Sequence, residues 1–132
     1  MSDAFDLSTT CVHLGLGARV DLLPDFEWTP EYLTAYRDRT EGDGDDGRLV
    51  GYFEQGVSWD SWERHPGGEE LVVLVSGRVD LFQEIDGEVH KVELTPGTAV
   101  VNPRGVWHTA DVHDPGHALF ITPGRGTEVR PR

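Results

Sequence analysis

From Leu49 onward, apolar residues recur in short runs separated by glycine, proline, asparagine and aspartate. Runs of this length, bounded by turn residues, predict strands rather than helices. They fall at Leu49 to Gln55, Val57 to Arg64, Glu70 to Ser76, Arg78 to Glu84, Val89 to Leu94, Ala99 to Asn102, Trp107 to Val112 and His117 to Ile121. Ahead of them, Val12 to Leu16 and Arg19 to Leu23 are two further strand-length pieces. Thr29, Pro30 and Glu31 form a helix-start signature, and Tyr32, Leu33 and Tyr36 follow at helical spacing, so one short helix is expected near residues 30–39. The run from Glu41 to Gly47 predicts a solvated loop. It is not a calcium loop: with Asp43 as first ligand, the glycine required at the sixth position is Arg48.

The punctuation between the strands points to an all-β sandwich or barrel. Ser76-Gly77 and Asp86-Gly87 read as two-residue hairpin turns and Pro96-Gly97 as a further tight turn, which implies a meander of hairpins. Every residue from Leu71 to Val75 is apolar, so both faces of that strand need cover. Leu71, Val73 and Val75 cannot face the core if Val72 and Leu74 do, and a homodimer through that face is expected. The closing segment from Ile121 to Arg132 reads as an extended tail on the barrel exterior. The resulting division is residues 1–48 as strands and a helix packed on the barrel, 49–123 as the barrel, and 124–132 as a tail.

Composition narrows the function classes. With 132 residues the chain has one domain's length, and no apolar stretch approaches the ~20 residues of a membrane-spanning helix. No apolar leader with basic flanks opens the sequence, so a cytoplasmic location is expected. The 24 acidic residues against 11 basic ones give a net charge of −13, which repels phosphate backbones and anionic lipid, so neither nucleic acid nor membrane is an expected partner. A lone cysteine, Cys11, allows neither an internal disulfide nor a cysteine-based zinc site.

Candidate chemistry gathers in two segments. In the first, Glu63 and His65 stand two apart on a strand and share a face, and Pro66-Gly67-Gly68 turns the chain so that Glu69 or Glu70 comes back toward them. In the second, the turn from Asn102 to Gly105 leads into a strand that bears His108. A lone strand histidine is more often packed than ligating; two segments of this kind change that balance. Their spacing resembles the two motifs of the cupin family. His65, Glu70 and Gly77 are separated by four and six residues, and Gly97, Pro103, Gly105 and His108 fall at the second motif's intervals, with nineteen residues between Gly77 and Gly97. The sequence departs from the pattern at Glu63, where the family has its first histidine, at Gly56, one residue early for the leading glycine, and at Val112, where it has asparagine.

The resemblance implies a small single-domain cupin of the type-2 conserved barrel, a double-stranded β-helix or jelly roll, with a mononuclear divalent-metal site. Carried onto this chain, the ligand set becomes Glu63, His65, Glu70 and His108, with Glu69 as the register alternative to Glu70. Imidazole and carboxylate ligands suit Mn, Fe, Zn or Ni. Trp59 and Ser61 share parity with Glu63 and are candidates for a ligand pocket, as is Arg104 in the turn before His108. Trp62 and Trp107 have the opposite parity and belong outside the barrel, against another sheet or subunit. His113 and His117 are expected in a loop, and His13 and His90 belong to no constellation. The implied function is binding, and isomerase- or dioxygenase-type transformation, of a small organic molecule. The other classes are a non-catalytic ligand-binding or sensing cupin, or a metal-free structural dimer; no residue is assigned a catalytic role.

Overall fold

A computed structural model describes residues 3–132. The strands are β1 (Cys11–Gly15), β2 (Arg19–Leu23), β3 (Arg48–Gln55), β4 (Ser61–Arg64), β5 (Glu70–Leu74), β6 (Arg78–Ile85), β7 (Glu88–Leu94), β8 (Ala99–Asn102), β9 (Trp107–Asp114), β10 (Gly116–Thr122) and β11 (Glu128–Pro131), with one α-helix, α1 (Pro30–Thr40). They form a six-stranded sheet in the order β2-β1-β3-β10-β5-β8 and a five-stranded sheet in the order β11-β4-β9-β6-β7. The two sheets enclose a core of Val72, Leu74, Val79, Leu81, Leu94, Ala110 and Ala118. The strand pattern predicted a sandwich or barrel, and the form it takes is the jelly roll that the resemblance implied.

Alternation within strands sets the core. Along β5 the side chains of Glu70, Val72 and Leu74 are buried while Leu71 and Val73 are partly open, the period-two pattern of a strand with one covered face. Helix α1 begins where Thr29 accepts a hydrogen bond from the Tyr32 amide at 3.2 Å, with Pro30 at the first helical position. No helix among the described residues is long and apolar enough to cross a membrane.

Four expectations are corrected. The Ser76-Gly77 turn does not close a hairpin: β5 lies in the six-stranded sheet and β6 in the other. Gly77 has φ +87°, and a Cβ there would lie 2.5 Å from the Asp114 carbonyl oxygen. A glycine at positive φ marks a tight turn but not whether the chain returns to the same sheet. Only β1–β2 and β6–β7 pair as sequence neighbours, the latter across Asp86-Gly87, both at positive φ as a type I′ hairpin requires.

The strand expected from Val57 begins only at Ser61. The closing tail contains β11, which pairs with β4 from Glu128↔Arg64 to Pro131↔Ser61. The loop from Glu41 to Gly47 is a 3-10 turn over Glu41–Asp46 that buries Asp43.

Candidate metal centre

Three strands and one turn bring the site together. Glu63 on β4 lies directly opposite His108 on β9, so both side chains enter the barrel from one sheet. His65 follows β4, and Glu70 begins β5 on the facing sheet. His65 and Glu70 are 5% and 3% exposed and His108 is inaccessible, whereas Glu63 is half-buried. The rings of His65 and His108 have centroids 5.2 Å apart. Glu70 places Oε2 3.2 Å from His65 Nε2 and Oε1 3.3 Å from His108 Nε2, and Glu63 Oε2 lies 4.0 Å from each of those nitrogens. Glu69, one residue earlier, is exposed and faces away.

The hydrogen bonds around the rings decide their tautomers. Thr127 spends its hydroxyl proton on the Gly124 carbonyl at 2.9 Å, so at 2.9 Å from His65 Nδ1 its oxygen accepts, and Nδ1 carries the proton. His108 Nδ1 faces the Val106 carbonyl at 3.4 Å, which also requires a proton on Nδ1. Both Nε2 atoms are thereby left as lone pairs, and both are buried without a hydrogen-bond partner. Burial pushes the His108 pKa down, and the nearby His65 adds to this against the pull of Glu70, so the ring is neutral.

Glu70 is held as a carboxylate. Burial works against its charge, but the Thr122 hydroxyl, which donates to Oε2 at 2.6 Å, and any proton shared with His65 or His108 bring its pKa below the ordinary value. Glu63 is pushed up by burial, a shift that Glu70 reinforces and His65 opposes. Two imidazole lone pairs facing carboxylate oxygens repel them unless a proton or a metal cation lies between. One ligand atom from each of Glu63, His65 and His108 lies within 4.8 Å of the other two. The donor set therefore fits a divalent ion.

The supporting polar groups come from both sheets. Asn102 Nδ2 donates to Glu70 Oε1 at 2.9 Å, and Gln83 Nε2 donates to Asn102 Oδ1 at 2.9 Å. Gln83 is the neighbour of His108 across β6–β9, so this relay runs from the bed of His108 to the carboxylate of Glu70. Neither Asn102 nor Gln83 was singled out from the sequence. The available signal was a polar residue at an inward position: Gln83 shares parity with Val79 and Leu81.

The cupin domain family model matches residues 50–123. The chain belongs to the cupin family. No curated protein sequence matches this cupin significantly. Among solved structures, the hydroxypropylphosphonic acid epoxidase from S. wedmorenis in complex with fosfomycin aligns at TM-score 0.50 with 10% identity, over 57% of this chain and 43% of that one. A hydroquinone 1,2-dioxygenase from a Sphingomonas species, with 4-hydroxybenzoate bound, aligns at 0.49 and 12% over 57% and 58% of the two chains. A cupin-2 domain protein from Shewanella frigidimarina aligns at 0.46 and 18% over 64% and 71%. The matched part thus spans about half the length of the first two enzymes, and at these identities the likeness is one of fold.

Beside the centre, a cavity of about 810 Å³ opens between the six-stranded sheet and the segment that carries α1. Glu63, His65, Glu70 and Trp59 line it. Trp59 lies outside any strand, yet its ring stands edge-on to His108 at 6.0 Å, and Nε1 donates to Gln55 Oε1 at 2.9 Å. Ser61 and Arg104 do not line the cavity: Ser61 offers its carbonyl to the Thr109 hydroxyl, and Arg104 is exposed in its turn.

Trp62 and Trp107 do face outward, but arginines cover them rather than a further sheet. The Arg130 guanidinium lies 5.3 Å from the Trp62 ring and 4.5 Å from that of Trp107, and Arg64 lies 4.6 Å from Trp107. His113 and His117 sit on strands rather than in a loop. His113 Nε2 lies 2.6 Å from Asp80 Oδ2, and His117 stacks on Tyr52. His13, which the sequence placed in no constellation, is buried between Tyr36 and Asp43.

Proposed function

We propose that this cupin holds one divalent cation between His65, His108, Glu70 and Glu63, and that the cation anchors a small organic molecule in the adjoining cavity for isomerase- or dioxygenase-type chemistry. The observation that carries this reading is the pair of buried, unpartnered Nε2 lone pairs facing one carboxylate. When bound, the ion supplies Lewis acidity toward a ligand oxygen or, if it is iron or manganese, one-electron chemistry. The chain's own part is to fix the donors: Thr127 sets the His65 tautomer, Asn102 and Thr122 orient Glu70, and Trp59 closes the site against water on the His108 side. Half-buried Glu63 stands where the centre opens into the cavity, and burial raises its pKa.

The test is metal titration by calorimetry and by thermal melting. Mn, Fe, Zn or Ni should raise the melting temperature of the wild type. His108→Ala should abolish that rise, and Glu63→Gln should weaken binding by about tenfold while leaving the metal-free melting temperature level or slightly higher, because repulsion with Glu70 is gone. A wild-type protein that gains no stability from any of the four metals refutes the reading.

We further propose that the chain forms a homodimer through the outer face of its six-stranded sheet. Leu22, Val12, Val50, Ile121, Leu71 and Val101 are successive cross-strand neighbours across all six strands, an apolar row that is open or partly open at every position except Val12, which is buried. A stable dimer should bury at least about 1,200 Å². Sedimentation at micromolar concentration should give the dimer mass, and a monomer refutes it.

A further inference from the structure

His13, Tyr36 and Asp43 lie outside the matched segment; His13 and Tyr36 line the same cavity as a second polar pole, and Asp43 stands behind His13. Asp43 accepts the Leu16 amide at 3.1 Å on Oδ1 and faces Arg19 at 2.5 Å and His13 Nε2 at 2.8 Å on Oδ2. These donors, His13 first, hold its carboxyl at about 2, so it accepts and His13 Nε2 carries the proton. In the neutral ring, His13 Nδ1 is then an acceptor for the Tyr36 hydroxyl at 2.7 Å. With its proton committed to His13, the Tyr36 oxygen keeps lone pairs free to accept. Burial pushes the Tyr36 pKa up to about 12, so it stays a neutral phenol.

The sheet register relates this pole to the metal centre. His13 pairs with Leu49, Leu49 with Thr122, and Thr122 bonds to Glu70. The four residues form one cross-strand row on the inner face, three interstrand steps of about 4.8 Å, or about 14 Å in all. Allowing a contact of roughly 2–3 Å at each end leaves room for a ligand about 9 Å long. Trp28, Phe53, Trp59 and Phe120 supply flat apolar walls between the poles. Gly47 keeps the far pole open: a Cβ there would lie 2.7 Å from His13 Cε1.

We propose that the Tyr36 oxygen, backed by His13 and Asp43, accepts a hydrogen bond from the hydroxyl of an elongated aromatic acid whose opposite, anionic end lies at the metal centre. The ligand class is a conjugated carboxylate of about one ring and a short arm that bears a hydroxyl at its far end. This rests on the metal reading for its near end only; the far end stands on Tyr36, His13 and the aromatic walls. A group that merely pinned α1 to β1 would have no preference for a hydroxyl on a bound molecule.

The probes are p-coumarate and cinnamate, which differ only in the far hydroxyl, titrated by calorimetry into full-length protein with and without Co(II). In the wild type with Co(II), p-coumarate should bind about tenfold more tightly than cinnamate. In Tyr36→Phe the ratio should fall to about one while cinnamate affinity stays within about twofold of wild type. His13→Gln, the second variant, should lower the ratio in the same direction. Equal affinities in the wild type, a ratio that survives Tyr36→Phe, an equal loss for both acids, or no binding of either acid at millimolar concentration each overturns the proposal. Affinities that ignore Co(II) while the hydroxyl preference persists would instead remove the metal reading and leave the far pole intact.

Discussion

His13 and His65 are both buried and both line the same cavity, yet their surroundings differ in one respect. His13 has a partner on each nitrogen, Tyr36 on one side and Asp43 on the other. His65 has Thr127 on Nδ1, while its Nε2 faces only the Glu70 carboxylate at 3.2 Å and makes no hydrogen bond. A buried polar atom without a partner costs on the order of 1–3 kcal/mol, so a fold that keeps two of them side by side requires something else to satisfy them. The two rings are equally buried. The count of unsatisfied nitrogens separates a metal centre from a hydrogen-bonded support.

Removing a ring should have opposite consequences in the two clusters. His13→Ala should cost about 3 kcal/mol of stability, because it empties a buried site and removes one of the partners of Asp43, while metal affinity measured by calorimetry stays within about threefold. A tenfold loss of metal affinity would show that the two poles are coupled. Asn102→Leu should sharpen the other side: with no amide on Glu70 Oε1, metal affinity should fall by roughly 10–100-fold, the range seen when groups behind metal ligands are removed.

The smallest effect is in acid. Asp43, held from its ordinary 3.8 down to about 2, contributes stability that is complete above the ordinary value and is lost as pH falls from about 4 toward 2. Melting temperatures of metal-free protein across that window should fall less steeply in Asp43→Asn than in wild type.

What the sequence disclosed follows the range of the interactions involved. Strand alternation and the Asp86-Gly87 hairpin are local, and they were legible residue by residue. The Glu63, His65, Glu70 and His108 group was legible through spacing, because fixed offsets between two motifs encode which strands meet. The His13–Tyr36–Asp43 cluster has no such offset. Its members lie 23 and 30 residues apart in sequence, and a run rich in glycine and aspartate has the composition of a solvated turn whether or not one carboxylate is tucked inside. Gln83 and Asn102 were hidden for a related reason: an inward polar residue is read as a packing exception until its partner across the barrel is known. The Ser76-Gly77 turn misled because local backbone geometry does not record which sheet the next strand joins.

Thr127, which fixes the tautomer of His65, lies beyond the family segment of 50–123, and His13 and Tyr36 lie before it. The barrel supplies the donors, while the flanks decide how one of them is protonated and what stands at the far end of the cavity. Selectivity in such a protein is therefore separable from its framework: new flanks grafted onto an unchanged barrel would alter which molecules it accepts, and the barrel excised alone would keep its metal-ligand side chains but lose the hydroxyl that keeps His65 ready to use them.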